Sequence, residues 1–244
     1  MLPLRDNAAP RRLTPINTVL IVANIAVFIY ELSLGGRVGN LVGRFAMVPA
    51  AITDALSMRS LALPGSLAYR TTAFATSLWP VITILTSMFL HGGVWHLVGN
   101  MLYLFIFGAA VEYRMGPPRY AAFYLASGIA AALATVWIAP ESRVPVIGAS
   151  GAIAGVLGAY FIFYPRGRIL TILPIFVFIQ FIEVPAVIYL LLWFAMQLYA
   201  GLEVGGQGAR TGGVAWWAHV GGFLFGISLA PILAKPRPTR RRSR

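Results

Sequence analysis

The chain has no cysteine in its 244 residues, which removes disulfide bonds, thiolate metal sites and thiol nucleophiles together. Charge is scarce too. Only 11% of residues are charged and 59% are hydrophobic, where soluble domains have about 25% and about 45 to 50%. The chain therefore belongs in a lipid bilayer. It holds seven acidic residues and three histidines, with no HExxH pair, so a zinc protease lacks its ligand set and no metal is expected. A single lysine accompanies eighteen arginines, a bias for which the sequence offers no functional account. The net charge of +12 would suggest nucleic acid in a soluble protein. Here the positive residues gather in short connectors and a terminal tail, where they orient the chain in the membrane, and no nucleic acid partner is expected.

What the chain does have is long apolar runs. Spans of about 20 residues fall near 15–33, 92–111, 119–139, 148–164, 185–201 and 214–233. The expected fold class is an all-α polytopic membrane protein with six transmembrane helices. The first span follows Arg5, Arg11 and Arg12 without a small-residue cleavage site, so it reads as an anchor. Residues 35–80 form a long connector, expected to lie partly embedded in the membrane interface. Residues 169–200 are too long for one helix and are interrupted by Pro174 and Pro185, so 165–184 is expected as a buried connector. With six spans, thirteen positive residues fall on the face of the termini and six on the other. Both termini are then expected in the cytoplasm. The whole chain reads as one membrane domain: 1–14 a cytoplasmic start, 15–234 the bundle, and 235–244 a basic tail touching anionic lipid.

Each histidine sits in an apolar segment: His91 and His96 in HGGVWHLVGN, His219 in WWAHVGGFLFG. Polar groups at membrane depth are expensive and mark function. Ser150 begins the fourth span and His219 lies about a turn and a half into the sixth, both entered from the same side, so they share a depth. Small residues recur every four positions beside them, at Gly151, Gly155 and Ala159, and at Ala218, Gly222, Gly226 and Ala230. Packing these stripes together brings Ser150 and His219 near each other. Such a stripe also serves plain helix packing, which alone needs no histidine beside it. His96 and Asn100 are one turn apart on one helix face, suited either to interhelical hydrogen bonding or to an anionic oxygen.

HGGVWHLVGNMLYLFIFGAAVEYRMG, GASGAIAGVLGAY and AHVGGFLFG, in this order and spacing, resemble the rhomboid intramembrane serine proteases over roughly Thr86 to Ala230. The chain is most similar to the basic six-helix bacterial form, which implies a rhomboid-like fold in a bacterial inner or plasma membrane. The resemblance implies that Ser150 is the nucleophile and His219 the general base. His96, Asn100 and the Ser150 backbone amide would hold the oxyanion, and Gly148, Gly151, Gly222 and Gly226 would support the close backbone approach. Glu112, Arg114 and Gly116 match a structural motif of the family. His91 has no catalytic role on this reading.

The implied activity is hydrolysis of peptide bonds in or near the transmembrane helices of other proteins, through an acyl-enzyme. The partners are transmembrane-helix substrates, which must unwind locally before attack, and no cofactor is implied. No carboxylate falls near His219 in the pattern, so a dyad is expected. Many members carry an aromatic residue four positions after the serine, where this chain has Ala154; Trp216 or Trp217 is the expected substitute. The six glycines between 201 and 213 suit a mobile lid or a plain turn. A non-catalytic relative that binds membrane helices would be expected to lack Ser150 or His219. A transporter would leave GASG unexplained.

Overall fold

A computed structural model describes residues 2–8, 14–57, 78–175, 178–205 and 214–235. Arg11, Arg12, Arg59, Arg70, Arg210, the 206–213 part of the glycine-rich connector and the tail beyond Lys235 lie outside the described residues. Helix α1 is Pro15–Ser33. The connector after it folds into α2 (Val38–Phe45), α3 (Pro49–Leu56) and α4 (Leu78–Phe89). Next come α5 (Val94–Met115), α6 (Pro117–Ile138), α7 (Ser150–Phe163), α8 (Ala186–Gly205) and α9 (Val214–Leu233).

The protein is a helical, polytopic membrane protein. Helices α1, α5, α6, α8 and α9 are each long and apolar enough to cross a bilayer. Helix α7 is different: its 14 residues are almost entirely buried by the others. At 1.5 Å per residue it rises about 21 Å, short of the roughly 30 Å hydrocarbon core. It is too short to reach both faces of the layer.

Close backbone approach holds α7 to α9. A Cβ on Gly222 would collide with the Gly151 carbonyl oxygen, one on Gly226 with that of Gly155, and one on Gly158 with that of Phe223. Helices this close gain dispersion contacts along their whole seam, which is the main attraction available where lipid is as apolar as the side chains.

Polar ties fasten the end of the bundle where α1 begins. The buried Glu112 carboxylate, near the end of α5, accepts hydrogen bonds from the N–H groups of Ile16 (3.2 Å) and Asn17 (2.7 Å). It satisfies two of the donors that a helix start leaves free, and its charge suits the helix dipole. Asn17 in turn donates to the Leu104 carbonyl (3.0 Å) and accepts from Tyr120 Oη (2.7 Å). The Leu104 carbonyl opens a π-helical turn, Leu104–Gly108, within α5. Its side-chain partner and the wider turn occur together, as helix irregularities generally do. Arg114 donates to the Lys235 carbonyl and lies over the Phe163 ring. Gly116, at φ 87°, makes the turn from α5 into α6.

Two features differ from the sequence reading. First, 165–184 is not a buried connector. Strands β1 (Leu2–Asp6), β2 (Arg168–Ile175) and β3 (Phe178–Pro185) form an antiparallel sheet in the order β1-β2-β3. Phe178, Ile179 and Phe181 of β3 are exposed, so the helical bundle carries a small sheet that the all-α reading did not include. The run is rich in isoleucine and phenylalanine, which suit a pleated surface. Pro174 is tolerated because β1 pairs with β2 only as far as Ile172, leaving β2 an edge on that side. Second, α4 lies in what was read as connector and loop. Trp79 Nε1 donates to the Arg44 carbonyl (2.9 Å) and Thr86 Oγ1 to that of Phe45 (2.8 Å), tying it to α2.

Candidate active site

Ser150 is the first residue of α7. The chain enters through Gly148 at φ 122°, a conformation that favours glycine. Space demands glycine as well: a Cβ there would lie 2.8 Å from His96 Nε2 and 3.6 Å from Asn100 Nδ2. The N–H of Gly148 donates to the Ser87 carbonyl at 2.9 Å, which fixes the loop.

His219 projects from α9 so that its Nε2 stands 2.8 Å from Ser150 Oγ. On its other side, Nδ1 stands 2.8 Å from Oε1 of Gln197, a buried residue of α8. Two indoles neighbour the imidazole, Trp193 and Trp216, each with a centroid separation of 6.0 Å. Trp217 instead packs on α8, where a Cβ on Gly201 would come within 3.2 Å of it. Ala154 is fully buried against α9, its Cβ 3.3 Å from where a Cβ on Gly222 would stand.

His96 Nδ1 accepts the Gly92 N–H at 3.3 Å, so the ring presents Nε2–H toward Gly148. Asn100 Nδ2 is 3.0 Å from His91 Nε2. His91 is buried, and its Nδ1 faces the Phe89 carbonyl at 3.3 Å. A carbonyl can only accept, so Nδ1 carries the proton and Nε2 receives the amide of Asn100. Burial pushes His91 down to about 4, which keeps its ring neutral at physiological pH. The His91 N–H donates to both Glu31 carboxylate oxygens at 3.2 Å. His91, given no catalytic role from the sequence, thus sits directly behind Asn100.

The structure therefore gathers Ser150, His219, His96, Asn100 and Gly148 into one place and sets the Gly151 and Gly222 seam directly below it. Gly226 lies one turn further along α9, against Gly155. Two residues of the site were missed in the sequence, Gln197 and Trp193. A signal existed for the first: Gln197 is the only side-chain amide in a strongly apolar helix, and the cost of polar groups at depth applies to it as to the histidines. Among the described residues no group of three or more His, Asp or Glu could hold a metal ion.

The chain is similar to known proteins over the region that holds these residues. Residues 77–236 match the Rhomboid domain family. The chain is 32% identical over 167 residues to "Rhomboid protein 1, mitochondrial" of Saccharomyces cerevisiae, covering 67% of this chain and 45% of that protein. It is 29% identical over 237 residues to "RHOMBOID-like protein 6, mitochondrial" of Arabidopsis thaliana, covering 91% and 68%. Over a shorter stretch of 76 residues it is 45% identical to "Rhomboid protease GluP" of Bacillus subtilis, covering 31% of this chain and 14% of that one. The chain thus spans less than half of the yeast relative's length. Since the matched region runs from the start of α4 past the end of α9 and contains Ser150, His219, His96, Asn100 and Gln197, the chain belongs to the rhomboid family.

Proposed function

We propose that the protein is an intramembrane serine endopeptidase that cleaves other membrane proteins in or beside their transmembrane helices. The observation that carries this reading is the 2.8 Å contact between Ser150 Oγ and His219 Nε2, within reach for proton transfer. In the reaction, His219 Nε2 takes the Oγ proton as the oxygen attacks the substrate carbonyl carbon. The carbonyl oxygen becomes an anion, held by the Ser150 N–H, His96 Nε2–H and Asn100 Nδ2–H. The Ser150 N–H is free because a helix's first donors have no partner within it. Collapse breaks the C–N bond, and His219 returns its proton to the leaving amine. Water then hydrolyses the acyl-enzyme by the same route.

Water must reach the serine. A cavity of about 40 Å³ beside Ser150, lined in part by Ser87, Gly128, Gly148, Gly151 and Ala218, has room for it. The reading places the whole chain in one membrane domain with both termini in the cytoplasm, in a bacterial inner or plasma membrane. Its substrates are transmembrane-helix proteins, and neither cofactor nor metal takes part. The test is Ser150→Ala assayed on a helix-bearing substrate in proteoliposomes. Cleavage should fall to background, and undiminished cleavage by the clean variant sinks the reading.

A further inference from the structure

We infer that Gln197 is a positioning residue that selects the working tautomer of His219, so that the dyad on α7 and α9 depends on a third helix, α8. This rests on the proposed protease reading. A neutral imidazole carries one proton on either ring nitrogen, and the hydrogen bond made by one nitrogen decides the state of the other. To accept the Ser150 proton, Nε2 must be bare. Nδ1 must then hold the proton, and at membrane depth that proton needs an acceptor.

Gln197 supplies it, and its orientation is fixed independently of the histidine. The amide's two ends look alike in outline, but one end faces the Trp193 carbonyl at 3.2 Å. A carbonyl only accepts, so the NH2 group must point there. Oε1 is thereby turned to His219 Nδ1 at 2.8 Å and can act only as an acceptor. The side chain is 6% exposed, so water does not compete for either end. The same Trp193 whose carbonyl holds the amide also lies beside the His219 ring. An uncharged amide here does what a carboxylate does in a triad, without the cost of a charge at depth.

Ser150 and His219 are locked by the α7 and α9 seam, while the residue that sets their proton sits on α8. Docking of α8 against α9, where Trp217 fills the space over Gly201, is then a condition for activity and not only for stability.

The experiment reads the proton directly, using ¹⁵N-histidine-labelled protein in detergent or nanodiscs, with His219 assigned by the signals lost in His219→Asn. Wild-type His219 should show a protonated Nδ1 and a bare Nε2. In Gln197→Leu the Nε2–H form should appear, and both kcat and the rate of Ser150 labelling by a fluorophosphonate should fall about 10- to 100-fold with KM unchanged. Gln197→Glu should recover most of the loss, because a carboxyl in either protonation state presents an acceptor to Nδ1. A wild-type proton on Nε2, or wild-type labelling by Gln197→Leu, overturns the inference. If Gln197→Leu fails to fold, the wild-type tautomer alone decides. The tautomer is read without substrate, so its outcome is separate from the Ser150→Ala test of protease activity.

Discussion

Adding one methyl group at Gly222 should disable the site without touching a reacting atom. Gly222 lies three residues after His219 on α9, and its missing side chain faces the carbonyl oxygen of Gly151, the residue after Ser150. An alanine Cβ there would overlap that oxygen, and it would also meet Ala154 Cβ at 3.3 Å. Backbone cannot step aside as a flexible side chain can, so α7 and α9 must separate by about 1 Å to restore ordinary contact. Separation along that direction stretches the 2.8 Å contact between Ser150 Oγ and His219 Nε2 to about 3.6 Å or more, which is no longer a hydrogen bond. A misplacement of this size costs about a hundredfold in rate, roughly 2.7 kcal/mol in the barrier. The assay is fluorophosphonate labelling of Ser150 beside cleavage of a reconstituted substrate, with folding checked by thermal melting. Gly43→Ala on α2, where a Cβ meets nothing within 4 Å, serves as the control and should keep full activity. A folded Gly222→Ala protein that labels within twofold of wild type refutes the argument that this seam sets the dyad distance.

Much of this was legible in the sequence because bilayer thickness and the price of buried polar groups act on composition directly. The six apolar segments read from hydrophobic length match the six bundle helices to within a few residues. The small-residue stripes named both faces of the α7 and α9 seam, since only glycine and alanine permit that approach. Other features were hidden for physical reasons. The strands from Arg168 to Pro185 are as apolar as a helix, and in such a run periodicity does not separate strand from buried helix. Helix α4 lacks a full span's length, so a search tuned to about 20 residues passes over it. The polar site was read through its titratable groups, which favoured histidine and overlooked Gln197, an uncharged amide four residues after Trp193. Its role depends on a contact between α8 and α9, and spacing along one helix does not contain it. His91 was underread in the same way: its partners Glu31 and Asn100 lie 60 and 9 residues away.

Three further outcomes are expected. Asn100→Ala should lower kcat about 10² to 10³-fold with KM nearly unchanged, since it removes one oxyanion donor; a change confined to KM contradicts that role. Glu112→Ala should leave two N–H groups of α1 without partners, at about 1 to 3 kcal/mol each, so melting temperature falls while Ser150 labelling below the melt persists. An unchanged melt refutes the capping argument. His91 gives a pH prediction whose sign follows from its depressed affinity for protons. The unfolded chain takes up a proton on His91 near pH 6.5, whereas the folded chain refuses it until about 4. Acidification through that window therefore favours the unfolded state, and the contribution is absent above pH 6.5. Replacing the ring by a side chain that does not titrate, His91→Asn, should flatten melting temperature against pH between those limits. An equally steep slope would mean that His91 binds its proton alike in both states, and that the ring is not held neutral between Phe89 and Asn100.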